Sequence, residues 1–142
     1  MQCIFFVLMS FQTLPVFDAQ SSLSTLLTAG TPLKTAVSVL SNATITSNGN
    51  SQNYFTGIYR NILVLIYVGS VSGTSPSLTV YFNAFDTFSS QSIPLASVTI
   101  TSPGAYAISA THFPGEWFNI SWVVGGTSPS FGSVFISVYM SW

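Results

Sequence analysis

The sequence predicts an all-β protein, built as an antiparallel two-sheet β-sandwich of seven to eight strands. Apolar and polar residues alternate in several short segments, turn-forming residues separate these segments, and no convincing helical periodicity follows residue 30. A single jelly roll is the eight-stranded version of this architecture. We expect residues 34–142 to form the sandwich, and residues 1–33 to precede it as an apolar N-terminal arm and linker.

The composition is poor in charge and rich in hydroxyl groups. The 142 residues are 48% hydrophobic and 15% aromatic but only 4% charged, whereas an ordinary soluble protein has roughly 25% charged residues. The chain contains 24 Ser and 15 Thr, and its formal net charge is −1. Copies of a protein with so little net charge repel one another only weakly. We therefore expect the protein to associate with itself.

The N-terminal arm carries a short apolar run. It is too short for a membrane span, which needs about 20 apolar residues. Its length suits a secretory signal with a cleavage point near Ala19, but no Lys or Arg precedes it and Phe17 fits such a site poorly. We expect a retained arm that contacts a neighbouring subunit or an underlying lipid layer. The predicted contact residues are Ile4, Phe5, Phe6, Val7, Leu8, Met9 and Phe11.

One five-residue sequence, Gly-Thr-Ser-Pro-Ser, occurs at residues 73–77 and again at residues 126–130. Apolar segments flank both copies. Proline presets φ for a turn position and cannot donate to a strand ladder, while Gly and Ser tolerate tight turn geometry. The repeat therefore predicts the connecting turns of two similar β-hairpins.

The first strands of the body are predicted from weaker patterns. Residues 35–40 alternate and predict a strand, residues 41–53 predict a polar loop, and residues 54–58 are a second candidate strand. Residues 62–68, Ile-Leu-Val-Leu-Ile-Tyr-Val, are apolar at every position. Such a run is typical of a central strand that is covered on both faces. We expect it in the middle of the core.

The later strands show a period of two most clearly. Residues 97–101 and 105–110 predict two strands joined by a Ser-Pro-Gly turn at residues 102–104. Three other segments each have one apolar face that we expect to point inward. These faces are Leu78, Val80, Phe82 and Ala84; Phe118, Ile120, Trp122 and Val124; and Val134, Ile136, Val138, Met140 and Trp142.

The sequence offers little for catalysis or for cofactor binding. Asp18, Asp86 and Glu116 are the only acidic side chains, His112 is the only histidine, and no catalytic motif connects them. With Cys3 as the only cysteine, the chain also has too few ligands for a structural zinc site. We expect no catalytic residue, metal, cofactor or small-molecule substrate. The protein is therefore predicted not to be an enzyme.

The sequence also limits the partners that the protein can bind. Lys34 and Arg60 are too few to neutralise a phosphate backbone, so we expect no nucleic-acid partner. Aromatic side chains can stack on sugars, although alternating aromatics more often fill cores and subunit contacts. The aromatic candidates are Tyr54, Tyr59, Tyr106, Trp117, Trp122, Tyr139 and Trp142. Two Asn-x-Ser/Thr patterns make Asn42 and Asn119 candidate N-glycosylation sites.

Three segments of the body carry a resemblance to known proteins. They are Val-Ser-Gly-Thr-Ser-Pro-Ser-Leu-Thr-Val at residues 71–80, Pro-Gly-Ala-Tyr at 103–106, and Ile-Ser-Trp-Val-Val-Gly-Gly-Thr-Ser-Pro-Ser-Phe at 120–131. Together they resemble a small β-sandwich family of structural proteins from bacterial viruses. The resemblance covers roughly residues 60–142 and implies a sandwich fold and a place in a virus particle. The very low charge departs from the usual members and suits a virus or surface layer from a hot or acidic habitat, where single jelly-roll coat proteins are also expected.

Composition and resemblance together lead to three functional hypotheses. The first is a virion structural protein, a coat or decoration subunit that assembles with copies of itself and with other virion subunits. Its contacts would be neutral, aromatic-rich faces and the N-terminal arm. The second is a secreted subunit of an extracellular filament or surface layer, in which an arm or strand completes a neighbour's sheet. The third is a carbohydrate-binding module.

Overall fold

The computed structural model describes residues 34–142, which form seven antiparallel strands and no helix. The strands are β1 (Lys34–Ile45), β2 (Gly49–Asn50), β3 (Tyr54–Phe55), β4 (Asn61–Asp86), β5 (Gln91–Ile100), β6 (Gly104–Ala110) and β7 (Trp117–Ser141). Among these residues, none belongs to a helix that could cross a membrane. The predicted N-terminal arm and its contact residues lie outside the described residues.

Two long strands, β4 and β7, form the centre of the molecule. They pair with each other from Asn61 with Ser141 to Phe85 with Trp117. Both strands bend halfway, so that their paired halves lie in two layers. The first layer contains β1, the second half of β7, the first half of β4, and β6. The second layer contains β5, the second half of β4, the first half of β7, and the short β2 and β3.

The order of the strands in these layers defines the fold. If each half of β4 and β7 is counted separately, and β2 and β3 are counted as one, residues 34–142 contain eight strands. In chain order the first layer reads 1-8-3-6 and the second reads 2-7-4-5. This is the order of a single jelly roll. The predicted fold class, an antiparallel two-sheet β-sandwich, is confirmed.

The two Gly-Thr-Ser-Pro-Ser copies form the bends, and the prediction that they are hairpin turns is wrong. The strands that flank each copy do not pair with each other. Instead, residues 61–72 pair with residues 130–141, and residues 77–85 pair with residues 117–125, with register shifts between the two blocks. Such bulges let a strand pass from one layer to the other. Local sequence did not distinguish a hairpin turn from a bend within a continuing strand, because Gly and Pro favour both.

Glycine is required in each bend, because the two bends touch. Gly73 has a φ of +115° and Gly126 a φ of +103°, in the region that favours glycine. A Cβ atom on Gly73 would lie 2.7 Å from the carbonyl oxygen of Ser128, and one on Gly126 would lie 2.5 Å from that of Ser75. Each glycine therefore faces the other bend. The sequence repeat marks an approximate two-fold relation between the halves of the fold.

A single apolar core lies between the layers. The rings of Phe82 and Phe118 meet at 5.5 Å, and Phe113, from the loop after β6, meets Phe82 at the same distance. Trp142 was predicted to point inward, but it lies beyond the end of β7, where the pairing stops, and it is exposed. The other predicted inward positions are confirmed or half-buried. Those that are buried are Leu78, Val80, Phe82, Phe118, Ile120, Val134, Ile136, Val138 and Met140.

The first part of the body is more regular than its sequence predicts. A loop was expected at residues 41–53, but β1 continues to Ile45, which pairs with Phe131. Pairing with the long second half of β7 extends the strand despite its polar composition. The candidate strand at residues 54–58 is reduced to Tyr54–Phe55.

Candidate functional site: an uncovered apolar face

The first half of β4 departs from its prediction in an informative way. Its central position is confirmed, because it pairs with β6 on one side and with β7 on the other. The prediction that it is covered on both faces is wrong. Alternate side chains point into the core, but Leu63, Leu65 and Tyr67 point outward and are 38% to 50% exposed. In a two-layer sandwich, no third layer exists among the described residues to cover them.

The neighbouring strand β7 continues this exposed surface. Tyr139 pairs with Leu63, and Phe135 pairs with Tyr67, so their side chains share the outer face. The rings of Tyr67 and Phe135 lie 6.2 Å apart and are tilted by 52°. These five residues, Leu63, Leu65, Tyr67, Phe135 and Tyr139, are here called the apolar face. None of them carries a charge.

Small side chains border the apolar face. In β6, Ser109, Ala107 and Ala105 pair with residues 63, 65 and 67 of β4. In β1, Ala36 and Ser38 pair with residues 139 and 137 of β7. The large central side chains therefore stand above their neighbours and leave shallow grooves beside them. One groove of about 240 Å³ runs between the aromatic rings and β6.

The outer face of the second layer is different, because its polar groups bond to one another. The amide nitrogen of Asn83 donates to Asn119 Oδ1 and to Ser121 Oγ, both at 2.9 Å. The amide nitrogen of Asn119 donates to Asn53 Oδ1 at 2.8 Å and to Ser92 Oγ at 2.7 Å. Asn83 and Asn119 are both buried. The outer face of the second layer therefore combines this polar network with exposed apolar side chains such as Phe55 and Val123.

The two candidate glycosylation sites lie in different surroundings. Asn42 is exposed in β1, where the strand bulges and φ is +51°. Asn119 is buried, and a glycan would be attached to the nitrogen that donates the two bonds described above. Modification at Asn119 would therefore disrupt this network. Glycosylation at either site stays a prediction.

The charged residues of the described part gather at one end of the sandwich. Lys34 begins β1, Arg60 directly precedes β4, Asp86 ends β4, and Glu116 directly precedes β7. All four positions are strand ends far from the bends. The loop of residues 111–116, which carries His112, also crosses between the layers there. The five residues of the apolar face are therefore neutral, and Lys34 lines a groove with three of them at this end.

The turn between β4 and β5 also lies at this end. The Asp86 carboxylate accepts hydrogen bonds from the backbone N–H of Phe88 at 3.1 Å, from the N–H of Ser89 at 3.3 Å, and from Ser89 Oγ at 2.6 Å. These bonds, led by the one from the Ser89 hydroxyl, lower the pKa of Asp86. The carboxylate therefore acts as an anchor for the turn.

The structure does not bring the predicted sugar-stacking aromatics together on one surface. Tyr54 stacks on Phe118 at 5.5 Å, and Trp117 packs against Phe55 at 5.1 Å. Tyr139 alone belongs to the apolar face. Tyr106 lines the groove beside Tyr139. Tyr59 and Trp142 line a separate groove together with Arg60 and Glu116, and Trp122 lines a third.

No metal site is evident in the described part of the chain. Within residues 34–142, no three His, Cys, Asp or Glu side chains lie close enough to share a metal ion. The expected lack of catalytic residues and cofactors stays a prediction.

Sequence reasoning missed four residues of the apolar face: Leu63, Leu65, Tyr67 and Phe135. A signal for them was present. A strand that is apolar on both faces needs a layer on each side, but a sandwich without helices has only two layers. One face of such a strand must then lie outside both layers.

Residues 34–142 thus form a single jelly roll whose first layer carries a neutral, apolar outer face. No protein-family model matches the chain, and no curated protein sequence matches it. Among solved structures, the SPBc2 prophage-derived protein YomS is similar, with 17% identity and a TM-score of 0.47 over 78% of this chain and 95% of that one.

Two further solved structures are similar to a comparable extent. The Bacillus endospore appendage, described as disulfide-linked pili, shows 12% identity and a TM-score of 0.47 over 78% of this chain and 88% of that one. The CBM36-1 domain of a xylanase from the hindgut metagenome of Trinervitermes trinervoides shows 9% identity and a TM-score of 0.47 over 75% of this chain and 96% of that one. At such identities the similarity concerns the fold only.

Proposed function

We propose that this protein is a structural subunit that assembles with copies of itself through the apolar face, as a coat or decoration subunit of a virion. The observation that carries the proposal is the exposure of Leu63, Leu65 and Tyr67 on a central strand, beside Phe135 and Tyr139. Contiguous exposed apolar side chains of this kind mark interaction sites on soluble proteins. No enzyme activity is part of this function.

The energetics of the face favour self-association. Burying apolar surface contributes about 25 cal/mol per Å², so covering five half-exposed large side chains can drive binding. No charged group on the face has to be desolvated, which is the usual cost of burying a surface. With a formal net charge of −1, long-range repulsion between copies is also weak.

The N-terminal arm supplies a second contact in this proposal. Its apolar residues are Ile4, Phe5, Phe6, Val7, Leu8, Met9 and Phe11. The 22 residues from 12 to 33 separate them from Lys34, the first residue of β1. A chain of this length spans at most about 75 Å when extended. It is long enough to reach a neighbouring subunit or a lipid layer beneath the assembly.

The setting of the assembly is proposed from the sequence. Jelly rolls occur in viral capsid proteins and in lectins, so the fold alone does not choose between the three hypotheses. The virion is supported by the resemblance of residues 60–142 to structural proteins of bacterial viruses. A secreted filament or surface layer would use the same face and the same neutral composition.

The test combines sedimentation velocity with negative-stain imaging of the purified full-length protein. We expect large, regular assemblies. Leu65→Lys places a charge in the centre of the apolar face and should disperse them. Val123→Lys is the matched control, because Val123 is similarly exposed on the outer face of the second layer.

Each outcome of this test has a defined meaning. Closed particles support the virion subunit, and open sheets or fibres support the surface layer or filament. A protein that stays monomeric at about 1 mM overturns self-assembly. If that monomer binds glycans and loses the binding on Tyr67→Ala, the protein is a carbohydrate-binding module.

A further inference from the structure

The tip of the turn between β4 and β5 presents a fully exposed aromatic side chain. Phe88 is 99% exposed. The other exposed aromatic residues of the described chain are packed against a neighbour or belong to the apolar face, whereas the ring of Phe88 projects into solvent. Aromatic side chains, Phe among them, are enriched in protein interfaces relative to the rest of the surface.

This aromatic side chain is carried by an ordered turn. The Asp86 carboxylate accepts three hydrogen bonds from Phe88 and Ser89, which fix the backbone on both sides of the tip. Because the backbone of the turn is already ordered, binding has to immobilise only the side chain of Phe88. The turn therefore presents one apolar ring and one carboxylate from a fixed backbone.

A groove at one end of the first layer has complementary properties. It has a volume of about 420 Å³, within the range that holds small organic groups. Leu63, Leu65 and Tyr139 of the apolar face form part of its lining, together with Thr111. Lys34 also lines it and is its only charged residue. The groove therefore combines apolar walls with one positive charge.

We propose that the Phe88 turn of one copy binds in this groove of a second copy. The ring lies among Leu63, Leu65 and Tyr139, and the Asp86 carboxylate approaches Lys34. This inference rests on the proposed function, since the groove includes three of the five residues of the apolar face, and it names the surface that covers this part of the face. Among residues 34–142 of one copy, nothing covers the ring of Phe88. The proposed contact joins different copies.

A membrane is the other partner that an exposed Phe on a turn can suit. The charges around the tip argue against it. The segment from Asp86 to Leu95 contains no Lys or Arg, and its one charge is negative. Anionic lipid headgroups would repel such a tip, whereas Lys34 of a second copy attracts it.

Site-directed crosslinking of the full-length protein tests the contact. Two tagged variants are prepared, both with Cys3→Ser: one carries Thr87→Cys beside Phe88, and the other carries Thr111→Cys in the groove. When the variants are mixed, a short thiol-specific crosslinker should join the cysteine at position 87 of one to the cysteine at position 111 of the other. The product then carries both tags. Replacing Thr111→Cys by Thr101→Cys, in the turn near the bends, is the control and should give no product.

A second pair of variants measures the contribution of the aromatic ring. Phe88→Ser should abolish the crosslink and weaken association about 30-fold, the effect of losing a strong interface anchor. Phe88→Trp should retain both. Phe88 is exposed, so neither change should alter folding, and an unchanged thermal midpoint verifies this.

The possible failures are distinguishable. If the protein assembles but the crosslink is absent or survives Phe88→Ser, this inference is wrong and the proposed function stands. If no assembly forms at all, both are wrong. Binding to vesicles of phosphatidylcholine and phosphatidylglycerol that is lost on Phe88→Ser overturns the contact between copies in favour of a membrane.

Discussion

Single residues decide where the central strands bend. Gly73 and Gly126 hold positive φ angles at the two places where the bends touch, and each faces a backbone oxygen of the other bend. A methyl group at either position meets an unfavourable φ and an immovable neighbour. The bends therefore depend on glycine for two separate reasons.

Gly126→Ala should destabilise the protein by about 3 kcal/mol or more, because the new methyl group meets both an unfavourable φ and a backbone oxygen of the other bend. Gly57→Ala is the matched control. Gly57 also has a positive φ, +60°, but an added Cβ would meet nothing closer than 3.7 Å. It should cost only about 1 to 2 kcal/mol, the strain of the backbone alone. Urea denaturation of the wild type and the two variants measures their free energies of unfolding. Equal destabilisation by the two substitutions would show that the close contact between the bends does not require glycine.

Other residues fix the second layer through polar contacts. Asn83 and Asn119 lie opposite each other on β4 and β7 and share a buried hydrogen bond at 2.9 Å. Asn119 then reaches Asn53 before β3 and Ser92 in β5. Because buried amides are costly when unpaired, a shift of register in any of these strands would be penalised. The network therefore connects the central strands β4 and β7 to β5 on one side and to the segment before β3 on the other.

At the scale of elements, strand alternation was the most reliable part of the sequence. Val134, Ile136 and Val138 were predicted to share the inward face of one strand and are fully buried. The period of two is a local property, so local sequence reports it well. The path of a strand between layers is not local. Residues 73–77 therefore predicted a turn, although they form a bend whose partner lies 53 residues away.

The turn between β4 and β5 should make stability depend on pH through Asp86. Its pKa is lowered by hydrogen bonds made only in the folded state. Its contribution is therefore present above the ordinary Asp pKa of about 3.9 and is lost as the pH falls through the lowered value. Asp86→Asn keeps one acceptor oxygen but removes the charge.

We expect this variant to have a lower denaturation midpoint than the wild type at pH 7, with the gap closing between pH 4 and pH 2. Denaturation midpoints of both proteins, measured at pH 2, 4 and 7, test this expectation. Thr87→Ser, on the same turn, should behave like the wild type. A gap that stays constant down to pH 2 would mean that the carboxylate charge does not hold the turn.

At the scale of the whole molecule, composition predicted that copies would associate but did not locate the surface. The neutral character of the chain is visible in its sequence, where five formal charges serve 142 residues. Residues 62–68 were assigned to the core, because nothing local shows which side of a strand will lack a covering layer. The apolar face becomes visible only when the strands are counted into two layers, with Leu63, Leu65 and Tyr67 outside both.

The separation of charge from the apolar face leads to a prediction about salt. The described charges lie at the strand ends, and the face itself has none, so apolar burial should dominate association. The proposed pairing of Asp86 with Lys34 is an exposed ion pair, worth about 0 to 1 kcal/mol. Raising NaCl from 0.05 to 1 M should therefore weaken association by less than about fivefold.

Sodium sulfate, which strengthens apolar burial, should tighten the association. Sedimentation velocity across a concentration series measures both effects, with Val123→Lys as a folded control. Assemblies that fall apart in 1 M NaCl would show that the charged end, and not the apolar face, holds the copies together.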